Sequence, residues 1–338
     1  MEKEKKPLAS VITLTYRHYE RLFETIASVL QQDYPAFEYI ISDDGSGNFP
    51  KEKVMQFVRT HKKENLKRFR LLVNPENVGT VRHLNKVLKQ CSGEYIFDIS
   101  GNDIFFRHST ISEVVKAFET SGCDVLFVSR AAYAGNKIRT IFPHVGDWDR
   151  VRKLDTREKR YSAAIRTENY GIFVGANMFY RKSAIERRGY FDETYRLFED
   201  NPMIAELLWY EKTELKPELI AILYEWETGV SGGKWQIKNP VLVQEIKHYN
   251  QYGKLKHYAQ LDRKTQQHID FGIRRETAAN TAELAFVCLK YLPYMVHYLY
   301  FCICRQIVGL KDKNYIRQLD LTEHSFLLQS AKKRSQFS

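Results

Sequence analysis

Two apolar, β-branched runs stand out near the N-terminus. The first is Ser10-Val11-Ile12-Thr13-Leu14-Thr15-Tyr16 and the second Ile40-Ile41-Ser42-Asp43-Asp44-Gly45-Ser46. Each ends abruptly in polar or glycine residues, which predicts a buried parallel strand opening into a loop. Between them, Glu20 to Gln31 carries Leu22, Phe23, Ile26, Ala27, Val29 and Leu30 at mostly helical spacing. The three segments predict a β-α-β unit, with carboxylates at the strand end where open α/β sheets bind ligands. Ionised groups are costly beside a core unless paired or used, so the adjacent acids Asp43 and Asp44 demand a reason.

The alternation continues downstream. Phe69 to Val73 reads as a strand, followed by the turn-rich loop Asn74 to Gly79. A helix is predicted from about Val81 to Gln90, with Leu84, Val87 and Leu88 on its apolar face. Tyr95-Ile96-Phe97 is a short strand ending in Asp98-Ile99-Ser100-Gly101-Asn102-Asp103. Ile111 to Glu119 reads as a helix and Cys123 to Ser129 as a strand. This order predicts an α/β fold, a mostly parallel sheet with helices on both faces. Arg130 to Tyr170 is more polar and irregular, and reads as a loop over a site. Ile172 to Tyr180 and Leu219 to Glu225 read as strands, and Lys182 to Arg187 and Asn201 to Tyr210 as helices.

From about Pro240 the character changes to helical, over Val241 to Tyr252, Arg263 to Val287 and Tyr291 to Leu310. These segments predict a helical C-terminal appendage. Tyr291 to Leu310 is apolar and aromatic but holds Pro293, His297 and Arg305, so its uninterrupted apolar part is short for a membrane span. It reads either as a core or oligomer helix or as an interfacial helix. In the second reading residues 284–313 touch a membrane, with Lys311 and Lys313 beside anionic lipid.

Composition narrows the class. The chain has 338 residues, 43% hydrophobic and 28% charged, so a packed core is expected rather than disorder. The net charge of +11 suits a solvated basic surface, an anionic lipid or a phosphorylated ligand. No nucleic-acid-binding motif accompanies the charge, so nucleic acid is not an expected partner. The five cysteines have no zinc-finger spacing and an odd count, which points to a reducing cytoplasm. The charged N-terminus runs directly into a strand, so a secretory signal is not expected. The expected place is the cytoplasm or the inner face of the cell membrane.

Four motifs in order resemble the family 2 glycosyltransferases of GT-A, Rossmann-like fold. They are the Thr15-Tyr16 strand end; Ile41-Ser42-Asp43-Asp44-Gly45-Ser46; Asn77-x-Gly79 with Asn85 and Gly93-Glu94-Tyr95-Ile96; and Gly189-Tyr190-Phe191-Asp192-Glu193 with Glu199-Asp200. Each is weak alone, but their order and spacing together are specific. The resemblance implies a GT-A domain over 1–239, its nucleotide-sugar half about 8–130 and its acceptor half about 131–239, with the appendage at 240–338. It implies inverting transfer from a nucleotide diphosphate sugar, UDP-linked for preference, to a hydroxyl of a glycan or lipid-linked oligosaccharide in surface polysaccharide synthesis. A homo-oligomer is compatible with it.

That chemistry asks for a cation on the diphosphate and a carboxylate base on the opposite face of the sugar. By resemblance, Asp44 accepts a hydrogen bond from the nucleotide base and Asp43 supports the loop. Thr15 and Tyr16 lie at the donor, with Tyr16 able to pack on the base. Asn77, Gly79 and Arg82 lie near the nucleotide; the plain alternative for Arg82 is a surface charge. The metal motif departs from the family's L-D-x-D-D, because Ser100 and Asn102 stand where acids usually do. Asn102 and Asp103 remain as the ligating region for Mg²⁺ or Mn²⁺, with Asp103 also at the donor. The alternative is a nucleotide-sugar binder that has lost catalysis. Asp200 matches the usual base and Glu199 stands second, against a simple helix-start role. Trp226 and Trp235 are candidates for an acceptor-sugar platform, against core packing.

Overall fold

The computed structural model describes residues 6–17, 19, 21–134, 137–166, 170–225 and 239–319. Nine strands form one sheet in the order β3-β2-β1-β4-β8-β6-β9-β5, with β7 added beside β6. β1 (Ala9–Thr15), β2 (Phe37–Asp43), β3 (Leu66–Val73) and β4 (Tyr95–Asp98) run parallel. β6 (Val125–Ala134) and β9 (Thr213–Glu225) are also parallel. β5 (Ile104–Phe105), β7 (Lys137–Phe142) and β8 (Met178–Arg181) run antiparallel to their neighbours, so the second half of the sheet is mixed.

Alternation along each strand feeds two cores. Val11, Tyr39 and Ile41 face one side, with α1 (Leu22–Leu30), α2 (Lys51–His61) and α4 (Thr110–Ser121). Ile12, Ile40 and Ile96 face the other, against α3 (Thr80–Leu88), α7 (Lys182–Arg187) and α8 (Asp200–Tyr210). A strand buried on both faces is mostly apolar, as β1 and β2 are, and their buried polar side chains are paired, Ser10 with Glu38 and Thr13 with Tyr39.

The segment 130–170 differs from its expected loop. It holds the end of β6, then β7, α5 (Trp148–Arg152) and α6 (Arg157–Ile165). β7 hangs on the outside of β6 with alternating exposure, and α6 is capped by Thr156, whose side chain accepts from Lys159 N. Both are polar because only one side is covered, and that polarity imitates a loop. The expected helix over Arg263–Val287 is two helices, α10 (Arg263–Thr277) and α11 (Thr281–Lys290). Asn280 accepts from Glu283 N while Glu283 accepts from Ala279 N, a reciprocal cap that starts α11 afresh.

The C-terminal helices are fastened to the sheet. Tyr249 of α9 (Pro240–Gln251) and Ile269 of α10 join the core around α8. α12 (Leu292–Val308) leads to α13 (Asp312–Gln318). Asp312, fully buried, accepts from Thr140 Oγ1 (2.7 Å), Ile141 N (3.1 Å), His144 Nδ1 (2.7 Å) and Val145 N (2.9 Å). Those four donors hold the Asp312 carboxyl below its usual range despite burial, which pushes the other way.

Candidate active site

The strand order reverses direction at β1, between β2 and β4, and open α/β sheets bind ligands in the crevice at such a switch. The register brings Thr15 opposite Asp43, Asp43 opposite Val73, and Ile12 opposite Asp98. The carboxyl ends of four strands therefore share one edge.

The two aspartates after β2 have different partners. Asp43 is fully buried and accepts from Thr15 Oγ1 (3.2 Å), Tyr19 OH (2.9 Å), Ser46 N (2.8 Å) and Ser46 Oγ (2.6 Å). It holds its own turn. Asp44, 2% exposed, accepts from Asn74 Nδ2 (2.9 Å), Asn77 Nδ2 (2.9 Å), Val78 N (3.1 Å) and Gly79 N (3.1 Å). A carboxylate offers about four lone-pair positions, so the loop after β3 fills Asp44. A further donor reaches it by displacing one of these. Gly79 has φ +92°, and a Cβ there would stand 2.5 Å from Arg196 Cγ. Both facts require glycine.

Thr15 is buried at the base of this region, while Tyr16 is 37% exposed with the Arg17 guanidinium 4.9 Å from its ring centre. Arg82 lies on the outer face of α3, its side chain 64% exposed and 3.7 Å from Glu193. Trp226 and Trp235 fall outside the described residues.

The second half of the site is acidic. Burial, then the charges of Asp200 and Asp103, push Asp98 up to about 7. Burial pushes Asp103 up to about 6 against the pull of Arg130 and Arg21. Glu199 is raised well above its ordinary range by burial and by Asp200. Asp200 is raised by burial, opposed by the Gly175 N–H and Arg130. Asp200 starts α8, and its Oδ2 accepts from Gly175 N at 3.1 Å. A Cβ on Gly175 would lie 2.0 Å from Asp200 Oδ1, so only glycine lets the carboxylate dock there. A carboxylate raised toward neutrality and fixed in place is suited to general-base work.

Several of these residues were not among those the sequence singled out. Asp98 is one; its signal was its place at a strand end in register with β1. Arg130 is another, hidden in the segment read as a loop. It pairs with Phe142 and Ile222 across the sheet, and its guanidinium lies 5.1 Å from the Tyr224 ring and 5.8 Å from Phe142. Its Nε is buried with no hydrogen-bond partner among the described residues. Arg196 and Glu245 form a third feature. Glu245 of α9 accepts from the backbone N–H groups of Arg196 (2.5 Å), Leu197 (3.0 Å) and Phe198 (3.0 Å). Arg196 Nη2 in turn donates to Asn77 Oδ1 (2.7 Å). The loop that delivers Glu199 and Asp200 is thus tied to the loop that fills Asp44. No local sequence signal marks Glu245.

Among the described residues no three His, Cys, Asp or Glu side chains assemble into a metal-holding group. Asp98 nevertheless feels Asp103, so two carboxylates repel across the crevice. Mg²⁺ is commonly held by one or two carboxylates plus substrate phosphates. The set fits a cation that arrives with a diphosphate better than a resident ion.

Burial of the Asp98 charge, with Asp200 and Asp103 adding to it, predicts a cost in stability. Asp98 has a folded pKa above its unfolded value, so its contribution is fully present below about pH 4 and is lost as pH rises through about 7. Asp98→Asn should raise the melting temperature at pH 8 in chelator by a few degrees, with the gain shrinking at pH 5. Equal melting at pH 8 would refute the cost of the buried charge.

The chain is 25% identical over 233 residues to a poly-β-1,6-N-acetyl-D-glucosamine synthase of Staphylococcus epidermidis, covering 67% of this chain and 52% of that protein. It is 32% identical over 98 residues to the putative teichuronic acid biosynthesis glycosyltransferase TuaG of Bacillus subtilis, covering 29% and 37%. It thus spans about half or less of these relatives' length. The fold is that of S. aureus TarS residues 1–349, with a TM-score of 0.51, 15% identity, and 95% of this chain and 91% of that one covered. TarS has also been solved in complex with UDP and with UDP-GlcNAc. Residues 10–189, more than half of the chain, match the profile of glycosyl transferase family 2, and the chain belongs to that family.

Proposed function

We propose that this chain is an inverting glycosyltransferase that moves a sugar from a UDP-sugar to a hydroxyl of a glycan or lipid-linked acceptor. The single observation that carries the reading is Asp200, held on Gly175 N with its carboxyl raised, facing a crevice that also holds the Arg130 cation. Asp200 takes the acceptor proton as the hydroxyl oxygen attacks the anomeric carbon. The new C–O bond forms on one face as the bond to the diphosphate breaks on the other. Glu199, its carboxyl raised by burial and by Asp200, stands beside the base.

The leaving diphosphate needs positive charge. Arg130 has the position: its charge is felt by Asp103 and Asp200, and its Nε has no hydrogen-bond partner among the described residues. Asn102 and Asp103, with Asp98 behind them, would hold a Mg²⁺ or Mn²⁺ that comes with the donor. Such an ion supplies Lewis-acid neutralisation of the phosphate oxygens. Arg130→Gln should weaken UDP binding roughly tenfold to a hundredfold, since hydrogen bonds to charged groups contribute about 1.5–3 kcal/mol. Uridine, which has no phosphate, should bind both proteins alike. Equal loss for uridine and UDP would remove Arg130 from the phosphate.

A surface-polysaccharide setting with a lipid-linked acceptor places the enzyme at the inner face of a membrane, and we take the apolar face within 284–313 as its contact. The donor reading is tested by titrating UDP, GDP and a panel of their sugars into the purified protein. One UDP-sugar binding more tightly than UDP supports it. Binding without any turnover on lipid-linked acceptors favours the degenerate binder that Ser100 and Asn102 suggest, and no nucleotide binding overturns both.

A further inference from the structure

A cavity of about 720 Å³ lies beneath α11 and α12, within the range of about 300–1,000 Å³ usual for ligand sites. Phe271 and Gly272 of α10 form one wall, and Leu292 and Leu299 of α12 another, and its charged lining is Lys254, Arg275 and the single carboxylate Glu276. Lys254 makes no hydrogen bond or close ion pair among the described residues. Burial lowers its ammonium to about 8, with Glu276 opposing and Arg275 adding to the effect. Gly272 sits inside a helix, where glycine is destabilising relative to alanine. A Cβ there would meet nothing within 4 Å. Packing does not demand glycine at this wall; its absence of a side chain leaves the cavity open.

The mouth of the cavity is apolar and exposed. Leu292 is 51%, Val296 58% and Leu299 61% exposed. They belong to a larger face: ten of the sixteen exposed large hydrophobic side chains among the described residues lie between Leu284 and Leu310. Charge decides what covers it. From Leu284 to Lys311 there is no Asp or Glu, but there are Lys290, Arg305 and Lys311. A second copy would bring like charges together, whereas an anionic bilayer complements them. Among the described residues no helix is long and apolar enough to cross a membrane. The face therefore suits a helix lying in the interface.

We infer that the cavity binds one acyl chain of an anionic phospholipid, its phosphate meeting Lys254 and Arg275, while α11 and α12 rest on the bilayer. The inference rests on the membrane contact proposed above. Native mass spectrometry of the full chain in non-ionic detergent with phosphatidylglycerol or phosphatidylcholine tests it, beside flotation on vesicles of the same lipids. The wild type should retain one phosphatidylglycerol. Gly272→Leu, which fills the cavity without a backbone clash, should retain none and still float. Lys254→Met should reduce phosphatidylglycerol occupancy roughly fivefold toward that of phosphatidylcholine. A floating wild type that retains no lipid, or Gly272→Leu retaining it equally, overturns the cavity site alone. Failure of the wild type to float on phosphatidylglycerol vesicles overturns the membrane contact itself.

Discussion

Asp200→Asn is expected to cut sugar transfer by about 10²–10⁴-fold, the usual contribution of a positioned general base, while the donor still binds. The amide keeps the shape and can still accept from Gly175 N, which the carboxylate does at 3.1 Å. It cannot take a proton. The loss should therefore fall on kcat, with the donor dissociation constant changed little. Gly175→Ala should give a similar kinetic loss by a different route, because its Cβ would stand 2.0 Å from Asp200 Oδ1 and must push the carboxylate away. Glu199→Gln should cost less, since Glu199 acts beside the base. An Asp200→Asn protein that transfers at the wild-type rate would move the base elsewhere.

The second large effect is expected from Asp44→Ala. Removing the carboxylate leaves Asn74 Nδ2, Asn77 Nδ2, Val78 N and Gly79 N without their acceptor. Each buried donor left unsatisfied costs about 1–3 kcal/mol. Water entering a collapsed loop recovers part of that, so a net loss of several kcal/mol is expected in denaturant melts. On the proposed donor reading, UDP affinity should fall at least tenfold in the same variant, because the loop around Asn77 and Gly79 loses its anchor. Through Arg196 the disturbance reaches the Asp200 loop, so kcat should fall as well. Wild-type stability with intact UDP binding would show that the anchor is dispensable.

Much of the fold could be read from the chain. β1, β2 and α3 announce themselves because a strand buried on both faces is mostly apolar and a half-buried helix is striped. The segment 130–170 was opaque for the opposite reason. β7 and α6 are covered on one side only, so their polar residues carry no contrast with a loop. The same blindness hides Arg130, whose meaning comes from its charge acting on Asp103 and Asp200, far away in sequence.

The candidate site is legible where its contacts are local. Asp44, Asn77 and Gly79 sit in short motifs, and their loop partners lie within those motifs. Asp98 was passed over because strand alternation alone cannot say which way the last residue of a strand turns. The charges of Asp200 and Asp103, which it feels, tie it to the acidic half of the site. Glu245 carries no local signal, since it reaches this loop from α9 and its hydrogen bonds among the described residues are to backbone N–H groups. Long-range anchors of this kind leave no pattern in their own neighbourhood.

The most direct test of the account is the anomeric configuration of the first product, read by proton NMR during turnover of the preferred UDP-sugar. A single displacement with Asp200 as base predicts that an α-linked donor gives a β-configured product, with no such product from Asp200→Asn. An α-configured product at early times would contradict the account, because it requires either a covalent intermediate or attack from the face of the leaving diphosphate.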